Sequence, residues 1–96
     1  MATFISLVNF TDQGIRNVKD SPDRYTAFRA MAEQLGISVK AAYWTTGGYD
    51  MVLIVEGAED VATTLLLKVA SLGNIRTQTL HGFSEQEFRG LIDAMR

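Results

Sequence analysis

The sequence has no cysteine, a single proline and a single histidine. Without cysteine, this chain can form no disulfide, thiolate nucleophile, iron–sulfur cluster or thiolate-bound zinc. One histidine, His81, cannot make a His-rich metal site. Nor is there a surplus of positive charge: 9 Lys+Arg stand against 11 Asp+Glu, a formal net charge of −2. A nucleic-acid binder relies on basic side chains to displace condensed counterions, so the charge balance argues against that class. No apolar run approaches the roughly 18 residues that a membrane span needs. The start of the sequence has neither a basic segment nor an apolar one after it, which predicts a cytoplasmic location. Linkers, low-complexity tracts and internal repeats are absent. So are phosphate-binding glycine loops, nucleophile elbows and zinc helices.

What remains is 96 residues, 47% of them hydrophobic. That length predicts one domain over residues 1–96, burying about 60–65% of its unfolded surface. Thr3–Phe10 is β-branched and aromatic with apolar residues on both alternating faces, the pattern of a strand covered on both sides. Thr11–Gly14 breaks it, with Thr11 suited to cap a short turn reaching Asn17. Ser21 and Pro22 suit the N-cap and first position of a helix. Tyr25, Phe28, Met31, Ala32 and Leu35 give that helix an apolar face, and Gly36 ends it. Ile37–Thr46 reads as a second strand and Tyr49–Glu56 as a third, joined at Gly47-Gly48, where paired glycines supply the positive φ of a tight turn. The unbroken run Met51–Val55 predicts a central strand buried on both faces.

Glu59 and Asp60 open a second helix, with Val61, Leu65, Val69 and Leu72 facing inward and Gly73 ending it. Asn74–His81 is a fourth strand, polar at Asn74, Arg76 and Gln78, which suits an edge. Ser84-Glu85-Gln86-Glu87 is a capping box, and Phe83 and Phe88 are placed for a hydrophobic staple. Phe88, Leu91, Ile92 and Met95 stripe the last helix.

The order β-α-β-β-α-β-α gives an α+β fold: a ferredoxin-like βαββαβ sandwich with an extra C-terminal helix. Both internal helices then cover one sheet face. The first and third strands are apolar on the other face as well, and one short helix cannot cover a four-stranded sheet. A second subunit packed sheet to sheet can, as in a dimeric α+β barrel.

Four segments carry a resemblance. Tyr43–Asp50 contains Gly48-Tyr49-Asp50 and resembles the GYD-domain family, named for that tripeptide. Phe10-Thr11-Asp12-Gln13-Gly14-Ile15 is similar to the family's segment after the first strand. Lys19-Asp20-Ser21-Pro22 with Arg24 is similar to its helix start. Leu72-Gly73-Asn74-Ile75-Arg76-Thr77, followed by Thr79-Leu80, is similar to its last strand. The resemblance covers nearly the whole chain and implies the same dimeric α+β barrel architecture. It implies no reaction.

The candidate functional residues have alternative readings. Tyr49 and Asp50 supply a phenol and a carboxylate able to bind a ligand or move a proton at a pocket rim, or Asp50 caps the hairpin or pairs with an arginine. Tyr43 and Trp44 point to opposite sheet faces and suit pocket walls or an interface. Arg16, Lys19, Arg24 and Arg29 cluster near the first long helix, where Ser21 and backbone N–H groups would help bind an anion. The acids interleaved among them suit a solvated or intersubunit surface equally. Lys19 and Arg24 are singled out because the resemblance covers them too. Arg76 suits a carboxylate, either Asp50 or an acid on another subunit. His81 is the side chain expected to titrate near neutrality; it reads as a general base, an axial haem ligand or an ordinary strand-end residue.

Three functional classes stay open. The first is an oligomeric binding or regulatory module for a small organic or anionic ligand, with Lys19, Arg24, Tyr43, Trp44, Tyr49, Asp50 and Arg76 as contacts. The second is a cofactor-independent isomerase or oxygenase using Tyr43, Tyr49, Asp50 and His81. The third is a structural assembly unit. The expected partner is a second copy of the chain, and no cofactor or metal is implied.

Overall fold

A computed structural model describes residues 2–95. The elements run β1 (Ala2–Phe10), α1 (Asp12–Arg16), α2 (Ser21–Gln34), β2 (Ser38–Trp44), β3 (Met51–Gly57), α3 (Glu59–Ala70), β4 (Ile75–Gly82) and α4 (Glu85–Asp93), with a 3-10 turn over Val18–Asp20. The four strands form one antiparallel sheet in the order β2-β3-β1-β4. The βαββαβ order read from the sequence therefore stands, with β2 and β4 at the edges. A bulge between Val39 and Ala41 shifts the register of β2 against β3.

Alternation along the central strands sorts their side chains. Phe4, Ser6 and Val8 of β1 and Met51, Leu53 and Val55 of β3 are buried, and the core continues into Phe28 and Ala32 of α2, Ile37, and Ala62 and Leu65 of α3. Ser6 is buried at the level of the core, and its hydroxyl shares a 2.9 Å hydrogen bond with that of Thr79. The opposite face carries Ile5, Leu7, Val52 and Ile54, all only half-buried, with Leu80 and Tyr43 exposed beside them. The expectation that β1 and β3 are buried on both faces is therefore met on one face within this chain. Among the described residues, no helix lies on the other.

Three local expectations are corrected. Ser21 is not an N-cap: the 3-10 turn runs straight into α2, Ser21 already has helical angles (φ −57°, ψ −43°), and no side chain caps this helix. Pro22 still falls in the first turn, where its missing N–H leaves no bond unmade. Of the paired glycines only Gly47 has positive φ, at 114°. Leu72 is 62% exposed and lies past the end of α3 at Ala70, where it borders the opening between α2 and α3 and is not packed in the core.

The last helix behaves unlike the others. Its capping box forms in both directions: the Ser84 hydroxyl accepts from Glu87 N at 3.1 Å, and Ser84 N donates to Glu87 Oε1 at 2.8 Å. None of its described residues is buried, and Phe83, Phe88, Leu91, Ile92 and Met95 are all exposed. The radius of gyration is 14.6 Å and the longest axis 51 Å. A compact chain of this length would have a radius near 12.5 Å. The difference reflects an amphipathic helix standing away from the core.

Candidate functional site

The segments singled out by the resemblance meet at one place, the C-terminal end of β1. Thr11 N donates to Asn74 O at 3.0 Å, and the Thr11 hydroxyl donates to Gly73 O at 2.6 Å while accepting from Gly14 N at 3.1 Å. The Gln13 amide donates to Leu72 O at 3.2 Å and Asn74 Oδ1 at 2.9 Å. Gly14 lies so close to this strand entry that a Cβ there would fall 2.0 Å from Asn74 O. Gly73, at φ +90°, turns the chain into β4 against Gln13.

Asp50 and Arg24 close the clasp from two other sides. Asp50 Oδ2 accepts from Phe10 N at 2.8 Å, and Asp50 N donates to Val8 O at 2.8 Å, so the residue after the hairpin extends the sheet and terminates β1. The Arg24 guanidinium donates to Asn17 O at 2.9 Å and Gly14 O at 3.3 Å, and its Cζ sits 6.0 Å from the centroid of the Phe10 ring. Four sequence segments separated by up to about sixty positions thus fix one corner of the fold.

Below this corner, between α2, α3 and the sheet, lies a half-open cavity of about 220 Å³. Its wall is mostly apolar, from Val8, Phe28, Met31, Met51, Leu53 and Val69, with Ser21, Arg24 and Asn74 as polar members. Ser21 is 3% exposed, and its hydroxyl accepts from Trp44 Nε1 at 3.0 Å. The Trp44 ring meets Tyr25 edge-on at 5.6 Å.

The candidate residues separate into groups. Arg24 joins the cavity wall, and Trp44 reaches it through Ser21. Lys19 is exposed on the 3-10 turn. Tyr43 is 64% exposed on the uncovered sheet face, opposite Val52. Tyr49 donates its phenolic proton to Gln78 Oε1 at 2.8 Å, and Gln78 pairs with Leu7 on that same face. Arg76 lies opposite Asn9 at the end of this face and makes no ion pair among the described residues. The expected Asp50–Arg76 pairing does not form, because the Asp50 carboxylate is turned to the Phe10 N–H. His81 projects to the other side, opposite Phe4, and stacks on Phe83 at 4.5 Å.

Tyr43 and Tyr49 are therefore on one side of the sheet and His81 on the other, and Asp50 is engaged by backbone. These four groups are not assembled around one substrate position. Sequence reasoning missed Ser21 as the partner of Trp44, and the contribution of Phe28, Met31 and Val69 to a cavity wall. Helical periodicity marks such residues as inward-facing without saying whether they close on one another. Among the described residues, no cluster of His, Asp or Glu could hold a metal ion, and no helix is long and apolar enough to cross a membrane.

Comparison with known proteins agrees with this architecture. The family model described as GYD domain matches residues 4–92. A curated relative from Thermus thermophilus, named glutamine synthetase and cystathionine beta-lyase binding protein, is 40% identical over 83 residues, covering 83% of this chain and 86% of the relative. Two solved structures are similar. A hypothetical protein from Pyrococcus horikoshii has a TM-score of 0.55 and 26% identity over 88% of this chain and 93% of its own. A protein from Thermus thermophilus has a TM-score of 0.51 and 25% identity over 88% of this chain and 95% of its own. The clasp at the end of β1, the sheet order and the family match agree: the chain belongs to the GYD-domain family.

Proposed function

We propose that this chain is a cytoplasmic binding or regulatory module that self-associates through its uncovered sheet face and engages protein partners. The observation that carries this reading is the face itself: Ile5, Leu7, Val52, Ile54 and Leu80 form an apolar surface left bare by both long helices. A sheet face meant for water alternates to polar residues. Here the polar groups, Tyr49, Gln78, Asn9 and Arg76, gather toward one end. An apolar centre with a polar margin is the anatomy of an interface.

Magnitude decides how much of the molecule takes part. Strands about 4.8 Å apart, rising about 3.3 Å per residue, give four seven-residue strands a planar face of about 440 Å². Two such faces make about 900 Å², short of the roughly 1,600 Å² of a standard stable interface. The bare stripe of α4 supplies further apolar surface, so we include α4 in the association. The relative named for binding glutamine synthetase and cystathionine beta-lyase supports a protein-binding role, and those two enzyme classes are the first partners to try. The enzyme reading gains no such support, since its acid–base groups lie on different sides of the sheet.

Light scattering at micromolar concentration tests the self-association. The expected mass is a multiple of 10.6 kDa; a mass equal to it overturns the reading. Immobilised chain should retain purified glutamine synthetase or cystathionine beta-lyase, and failure with both removes them as partners.

A further inference from the structure

We infer that the cavity between α2, α3 and the sheet binds a monocarboxylic acid with an apolar body, its carboxylate held by Arg24 and Ser21. The site is separate from the sheet face on which the proposed association rests. The space is a half-open cleft, with exposed Ala27 and Leu72 among its lining residues. This cavity holds about 220 Å³, about seven water-sized units at roughly 30 Å³ each. Water gains little there, because Val8, Phe28, Met31, Met51, Leu53 and Val69 offer it no hydrogen bonds. An apolar body of about seven non-hydrogen atoms fits the space and the wall.

The polar end specifies the rest of the ligand. Ser21 is 3% exposed and lines the cavity. Its oxygen accepts from Trp44 Nε1, and an indole N–H can only donate. The Ser21 hydrogen therefore cannot go back to Trp44, and among the described residues it has no acceptor. A buried donor is left ready for an acceptor from the cavity side, and a buried donor without one is costly. Arg24, half-buried, lines the same cavity. Two of its five N–H donors go to the Asn17 and Gly14 carbonyls, which fix the guanidinium plane. No carboxylate pairs with it among the described residues. A fixed cation and a spare hydroxyl donor, one helical turn apart on the wall of an apolar cleft, select an anionic acceptor with an apolar tail. A neutral alcohol would leave the cation without a counter-charge, and an amine would be repelled.

The test uses octanoate, with 1-octanol and octylamine as controls of matched length. Binding is followed by calorimetry, by the emission of Trp44, and by methyl chemical shifts. Octanoate should bind at least tenfold more tightly than 1-octanol, with octylamine weakest. Shifts should appear at Met31, Val69 and Leu53 and leave Ile5, Leu7 and Ile54 unmoved. Arg24→Gln should abolish the preference for octanoate over octanol. Because Arg24 also holds the Gly14 corner, Val69→Phe gives a second variant that fills the space and leaves the cation intact; it should abolish binding of both. Absence of octanoate binding at millimolar concentration overturns the inference. So does equal affinity for octanoate and octanol, or a shift pattern confined to the sheet face; that last outcome would leave the association reading untouched.

Discussion

At the scale of single residues, Gly14 has less room for a Cβ than any other glycine of the described residues. It lies inside the five-residue α1, where helix propensity alone would favour alanine over glycine by about 1 kcal/mol. Its neighbour across the clasp reverses that sign. An alanine Cβ would lie 2.0 Å from the Asn74 carbonyl oxygen, which is backbone and has no rotamer to yield. Gly14→Ala should therefore destabilise the chain by about 1–3 kcal/mol, the usual cost of overpacking. Urea unfolding checks this, and an unchanged or raised midpoint would show that the strand entry gives way. Serine and threonine in the same corner carry opposite lessons. Thr11 caps α1 as its sequence context suggests. Ser21 has the right residue type and the right proline after it, yet its hydroxyl is claimed by Trp44, 23 positions away. Local pattern identifies a capable side chain, but a tertiary partner decides how it is used.

At the scale of elements, α4 shows what sequence alone can specify. Its capping box is local, so Ser84 and Glu87 form it without help from the rest of the chain. The backbone N–H of Ser84, and then its hydroxyl, hold the Glu87 carboxyl below the ordinary glutamate range. A carboxylate whose folded value is lowered adds stability above its unfolded value, and that contribution is lost as pH falls through the lowered one. Acidification should fray the first turn of α4. An NMR titration should show Glu87 titrating below a glutamate in a short peptide, with Ser84 N–H protection falling in step. Ser84→Ala removes only the hydroxyl's share, so Glu87 should move part of the way back toward the ordinary range while the backbone N–H still holds it low. The order of elements along the chain, both long helices and the stripe of α4 were legible because each depends on periodicity or on neighbours within four residues. The clasp was legible only as separate segments of a family likeness. That Gln13 meets Leu72 and Asn74, or that Asp50 takes the Phe10 N–H, follows from strand register, which one sequence does not print. The cavity was not legible at all, since it is a property of the gap between α2 and α3.

At the scale of the whole molecule, apolar surface remains uncovered on the sheet face and along α4. Folding coupled to association makes stability depend on concentration, because mass action favours the assembled state. The thermal midpoint should rise as chain concentration is raised from micromolar to hundreds of micromolar, and a midpoint independent of concentration would mean the bare face is stable in water. The bulge at Val39/Ala41 bears on the geometry such an assembly can take. An outer strand with unbroken spacing invites the next sheet to continue the ladder, and each addition exposes a fresh outer strand, so growth has no natural end. Around Lys40 the repeat of β2 is interrupted, and a charged side chain stands at the interruption. Adding a strand there would leave ladder groups out of step and a cation to be stripped of water. Contact through the broad face has no such propagation, because two copies related by a two-fold axis consume each other's surface and stop. One irregular residue pair thus favours a finite particle over a fibre.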